Sequence, residues 1–157
     1  MPTPATYSRT QIVLHWLTVL LILAQFTLNG AIGAAWRAFR TGTEIAFDPL
    51  VAAHVFGGIA ILVLALWRLA LRATHGVPPA QGSAWAVRAA HWGHVAIYAA
   101  LILVAISGGA AWFGGIEAAA EAHEVLKTVL LVLVVGHVAM ALWHQFVLRD
   151  GTLARMR

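Results

Sequence analysis

Four apolar runs, at about 11–29, 50–71, 87–107 and 122–147, are separated by short stretches of glycine, proline and charge. Each run reaches the roughly 20 residues that a helix needs to cross a hydrocarbon core about 30 Å thick. The pattern therefore predicts an all-α integral membrane protein, a four-helix bundle forming one domain over 1–157. The breaks carry turn chemistry. Thr41-Gly42-Thr43 and Asp48-Pro49 precede the second run, and Gly76 to Gly82 with Pro78-Pro79 precede the third. Gly108-Gly109 and Gly114-Gly115 precede the fourth, which predicts a loop over about 108–121. A second loop is expected at about 31–48.

The polar exceptions inside the runs are mostly histidines. His123 and His137 stand fourteen residues apart on the fourth run. At 100° per residue their rings differ by about 40° around the axis and lie about 21 Å apart along it. One imidazole is then near each face of the membrane. Counting along the other runs, His54 lies about 6 Å below the outer edge and His15 about 6 Å from the inner edge. The depths pair His54 with His123 outside and His15 with His137 inside. Imidazole is a common metal ligand, and a polar ring buried in lipid needs a partner. Two facing helices that each offer a neutral imidazole provide axial ligation for a haem iron. Gly57, Gly58 and Gly136 beside these histidines leave room for a flat macrocycle. Depth alone leaves the inner pair open, because His91, His94 and His144 also lie toward that face.

Composition sharpens the class. Only 10% of residues are charged, with a mean hydropathy of +0.83. A soluble domain has roughly 25% charged residues. There is no cysteine, which excludes disulfides, iron–sulfur clusters and covalent haem attachment. The net charge of +4 does not imply nucleic acid, because the arginines sit at helix ends. Arg9, Arg68, Arg72, Arg88, Arg149, Arg155 and Arg157 fall on one side, against Arg37, Arg40 and Lys127 on the other. By the positive-inside rule both termini are cytoplasmic. The first run is longer than a signal-peptide core and carries His15 and Gln25, so it reads as an uncleaved helix.

The ordered motifs resemble the bacterial cytochrome b561 family. They are Tyr7-Ser8-Arg9-Thr10-Gln11-Ile12 leading to His15-Trp16, and His54 followed by Gly57-Gly58. Then come Arg68-Leu69-Ala70-Leu71-Arg72, His91 with His94, and Ala122-His123-Glu124. Gly136-His137 runs on to His144-Gln145-Phe146 and Arg149-Asp150-Gly151-Thr152-Leu153. The resemblance implies a quinone-linked dihaem protein of the bacterial inner membrane, with two haem b groups. It also implies the ligand pairs His15 with His137 and His54 with His123, and it leaves His94 and His144 as quinone contacts.

Arg68 is a candidate partner for an inner-haem propionate, and Arg72 a weaker one. Lys127, one turn below His123, is a candidate for attracting an anion or pairing with an outer propionate. His91, His94 and His144 are candidates for a ubiquinone pocket, since quinone reduction needs protons as well as electrons. His75 is expected in a solvated loop. The expected function is transmembrane electron transfer from an outer donor to ubiquinone. The resemblance implies superoxide as one such donor. The alternative is an anchor subunit serving a hydrogenase or dehydrogenase docked on the outer loop. A histidine-lined metal transporter fits less well, because the histidines cluster at two levels. Oligomeric state is not legible.

Overall fold

The computed structural model describes residues 6–44, 46–80 and 82–156. Arg157, counted above among the inner arginines, lies outside them. Five α-helices follow in order: α1 Arg9–Thr27, α2 Gly30–Arg40, α3 Pro49–His75, α4 Ala84–Gly114 and α5 Glu117–Trp143. A π-helical turn His144–Leu148 continues α5, and a 3-10 turn Leu153–Met156 follows. The spans Arg9–Thr27, Pro49–His75, Ala84–Gly114 and Glu117–Leu148 are long and apolar enough to cross a membrane. At 1.5 Å per residue a 27-residue helix is about 40 Å long, so α3 and α5 overrun the hydrocarbon core.

Local signals set the helix ends. Ser8 and Gln11 form a capping box at α1, with the Gln11 backbone donating to Ser8 Oγ and the Ser8 backbone to Gln11 Oε1. Asp48 accepts from the Leu50 amide at 2.7 Å, with Pro49 in the first helical position of α3. Gly115, in the left-handed region at φ 65°, ends α4. The helices pack in the order α1–α3–α4–α5, with α4 and α5 forming a tight antiparallel hairpin. Ile61, Ala65, Ala100, Leu101 and Leu130 are the buried centre of the bundle. Alanines there let backbones approach, the usual means of packing helices in lipid. The outward faces carry Val13, Leu20, Leu23, Phe56, Val132 and Val135, all exposed. Such a surface suits acyl chains.

Two connections differ from expectation. The loop expected over 108–121 is a two-residue turn, because α4 runs to Gly114 and α5 begins at Glu117. Gly108-Gly109 does not break α4. In lipid the helical bonds are the only partners a backbone has, so glycine loses much of its breaking power. Glu117 sits in the first turn of α5, where the helix dipole favours negative charge. The stretch expected as loop at 31–48 contains α2, with Arg37 and Arg40 in its last turn. His75 is the last residue of α3, exposed beside Thr74, and not part of a loop.

Candidate functional site

Toward one end of the bundle, the outer one in the expected orientation, His54 of α3 and His123 of α5 face each other with ring centres 6.3 Å apart and planes at 71°. His123 is held from α4. Its Nδ1–H donates to the Val104 carbonyl at 2.8 Å, with Ser107 Oγ at 3.4 Å. Gly108 makes this approach possible: a Cβ there would stand 2.9 Å from the ring's Cε1 and Nδ1. With the proton on Nδ1, the Nε2 lone pair is free to ligate a metal. His54 is held differently. Its Nδ1 is buried with no hydrogen-bond partner among the described residues, and its backbone carbonyl accepts from Gln25 Nε2 of α1 at 3.1 Å. A cavity of about 730 Å³ opens around this pair, within the size range of cofactor sites (about 300–1,000 Å³). Its walls include Gln25, Gly58, Gly108 and Trp36. Its charged lining is Arg37, Arg40, Glu117, Glu121, Glu124 and Lys127. Arg40 pairs with Glu117 at 2.5 Å, tying α2 to α5, and Lys127 Nζ donates to Glu124 at 2.6 Å.

Toward the other end, the expected inner one, His15 of α1 and His137 of α5 have ring centres 6.4 Å apart and planes at 64°. His94 of α4 lies closer to His137, at 5.3 Å. These spacings have different meanings. Two imidazoles sharing one metal, each nitrogen about 2 Å from it, place their ring centres roughly 6.3 Å apart. Both the His54–His123 and the His15–His137 pairs fit that spacing, whereas 5.3 Å is a direct ring contact. The residues thus fit an iron held between two imidazoles at each level. His94 Nδ1–H donates to the Ala90 carbonyl at 2.6 Å. Arg68 Nη2 donates to His15 Nδ1 at 3.0 Å, and its guanidinium lies 5.4 Å from the Tyr98 ring centre, a cation–π distance.

The remaining residues singled out in the sequence are not gathered into one pocket. His94 lines a second cavity of about 260 Å³ with Arg72 and Tyr98, between α3 and α4. His91 is exposed at the start of α4, its ring 5.4 Å from that of Trp92. His144 lies in the π-helical turn and its Nδ1–H donates to Asp150 Oδ2 at 2.5 Å. Hydrogen bonds from Thr152, followed by that from His144, hold the Asp150 carboxyl down at about 2. The segment beyond α5 folds back on α1 and the stretch after α3. Trp16 Nε1 donates to the Met156 carbonyl at 2.8 Å, and Arg155 donates to the Pro79 carbonyl at 2.9 Å.

Residues 6–157 match the family model described as prokaryotic cytochrome b561. The chain belongs to the prokaryotic cytochrome b561 family. It is 35% identical over 150 residues to a cytochrome b562 of Cereibacter sphaeroides, covering 96% of this chain and 94% of that protein. It is 32% identical over 173 residues to a probable superoxide oxidase of Yersinia pestis, with 96% and 94% covered. With a cytochrome b561 homolog of Escherichia coli K12 the identity is 26% over 175 residues, with 96% of each covered. A b561 chain is a multi-pass membrane cytochrome for haem-dependent electron transport, with haem b between its helices. The geometry of the histidine pairs agrees with that chemistry.

For this b561 chain, sequence reasoning missed two contacts. Gln25 was visible as an amide in an apolar run, but its bond to the His54 carbonyl is a contact between helices. Gly57 was read as room for a macrocycle, yet a Cβ there would collide with the Gln25 carboxamide. Gly58 keeps the reading better: it lines the cavity, with open space at its Cβ position.

Proposed function

We propose that this cytochrome carries electrons across the bacterial inner membrane through two b haems, from a donor at the outer face to ubiquinone. His54 and His123 are the outer axial ligands, and His15 and His137 the inner ones. The observation that carries the reading is the presence of two imidazole pairs, at 6.3 and 6.4 Å, joined through one helix by ligands fourteen residues apart. When bound, haem supplies one-electron redox chemistry, and the chain supplies ligands, spacing and electrostatics.

The residues around each pair suit these roles. Val104 fixes the proton of His123 on Nδ1 and leaves Nε2 to ligate. Arg68, half-buried beside His15, is suited to an anionic propionate. Lys127, Arg37 and Arg40 put positive charge on the outer cavity, though Glu117, Glu121 and Glu124 oppose it. The Yersinia pestis relative is named a probable superoxide oxidase, and superoxide is a donor small enough for this cavity. Lys127 is the residue assigned to drawing that anion in. Quinone contacts are assigned to His91, His94 and His144, which stand apart on α4 and the π-helical turn. His94 lies against His137, and His144 is backed by an ionised carboxylate that favours proton transfer. The count of arginines favours an orientation with both termini in the cytoplasm.

The test is haem content per chain with the visible spectrum of reduced protein. Two low-spin haems are expected. His54→Ala or His123→Ala removes one, and His15→Ala or His137→Ala the other. A purified chain without low-spin bands, or a His54→Ala variant that keeps both haems, overturns the assignment.

A further inference from the structure

The two rings of the outer pair are held by different means, and only one of them is fully held. His123 gives its Nδ1–H to a backbone carbonyl. His54 Nδ1 is buried and has no partner among the described residues. Gln25 Oε1 is also buried without a partner, and these two side-chain atoms are the orphans found among the described residues. Both residues line the same cavity. Buried polar atoms are rarely left unpaired, least of all at membrane depth. One orphan is an amide oxygen, which only accepts. The other is a ring nitrogen that donates whenever Nε2 serves as ligand. They are complementary.

The bundle also builds a place for Gln25. Its Nε2–H crosses from α1 to the His54 carbonyl on α3. That carbonyl lies within α3, and its second lone pair is available to an outside donor. Gly57, one turn further on, leaves the notch that the carboxamide fills, because any Cβ there would collide with it. An amide so anchored by its nitrogen has its oxygen left for the ligand.

We infer that Gln25 is the positioning residue of His54. Its oxygen takes the His54 Nδ1–H, by a small turn of the side chain or through one bridging water, and so directs Nε2 toward His123. The inference rests on the proposed ligation of the outer haem by His54 and His123. An acceptor on the far nitrogen makes an imidazole ligand more basic. A more basic ligand favours the oxidised iron, so Gln25 lowers the potential of the outer haem selectively.

The experiment uses the full-length purified chain, with haem content and a spectroscopic redox titration as readouts. The outer haem is identified as the one lost in His54→Ala and His123→Ala. Gln25→Leu is expected to keep two haems and to move the outer reduction equilibrium toward the reduced form by about tenfold, about 59 mV for one electron. The inner haem stays put. Gln25→Glu keeps an acceptor while losing the bond to the His54 carbonyl, and is expected to hold the outer equilibrium at or below its original value. Gly57→Ala, which crowds the carboxamide, shifts it as Gln25→Leu does. Should Gln25→Leu lose the outer haem, its retention in Gln25→Glu supports the inference and its loss there too overturns it. An unmoved outer potential in a two-haem Gln25→Leu protein, or equal movement of both haems, overturns it while leaving the ligand pairs intact. Retention of both haems in His54→Ala would instead overturn the ligation itself.

Discussion

Gly108→Ala should cost the chain its outer haem and spare the inner one. The added methyl would stand 2.9 Å from two atoms of the His123 ring, closer than real Cβ contacts come. The ring cannot yield without lengthening its 2.8 Å bond to the Val104 carbonyl. Overpacking of this kind costs about 1–3 kcal/mol. Weakening the hydrogen bond costs about 1 kcal/mol more. Against this, alanine gains about 1 kcal/mol over glycine inside a helix. The balance is a net loss of about 1–3 kcal/mol, concentrated on the orientation of one ring. Displacing what orients a metal ligand typically weakens binding by about 10–100-fold. Gly93→Ala is the control. It lies in the same helix with nothing within 4 Å of the Cβ position, so only the helix gain should remain. The assay is haem titration of the purified variants, read by difference spectra. Wild-type outer-haem affinity in Gly108→Ala, or equal damage in Gly93→Ala, would refute the steric argument.

Three further outcomes are expected. Arg40→Ala should lower stability by no more than about 1 kcal/mol, less in high salt, because both partners in the Arg40–Glu117 bridge are half-exposed; a larger loss in thermal unfolding would mean that α2 is clamped more tightly than the bridge implies. Asp150 has its carboxyl held at about 2 against an ordinary 3.8. A depressed acid contributes stability above its ordinary value and loses it as pH falls through the folded one, so protection of the C-terminal segment from proteolysis should hold down to pH 4 and fade between 4 and 2; an identical profile for Asp150→Asn would remove Asp150 as the cause. Lys127→Met should keep both haems and slow reduction by superoxide. One charge about 8 Å from the anion's path is worth about 0.5 kcal/mol in water-like surroundings, a rate effect of about twofold that salt abolishes. A salt-independent loss would place Lys127 in direct contact with the reaction.

The histidine ladder was legible because an unbroken helix turns counting into geometry. Fourteen residues between His123 and His137 fix both depth and azimuth, and depth along straight spans suggests the partners. Azimuth on separate helices is not in the sequence. That is why depth alone left His94 open beside His15, and why the choice of His15 came from the family pattern; the two rings stand 5.3 and 6.4 Å from that of His137. The misreadings share a cause. Gly108-Gly109 and the acids from Glu117 have turn-forming chemistry in water, but here they belong to helices. Gly108 is there for the His123 ring, a partner fifteen residues later that no local rule reveals. Gln25 and Gly57 complement each other across α1 and α3, and either alone looks incidental.

The two sites also differ in which ring nitrogen the chain holds. At the outer site His123 already carries its proton on Nδ1, so Nε2 can ligate without rearrangement. At the inner site Arg68 donates to His15 Nδ1, which puts the ring's proton on Nε2. A nitrogen that bears a proton has no lone pair for iron. Under the proposed ligation through Nε2, Arg68 must release the ring and the proton must move to Nδ1. The guanidinium has a second hold on Tyr98, and a propionate would offer the negative charge to draw it away. Under that ligation, Arg68 would keep its hold on Tyr98 and turn its other face to the propionate.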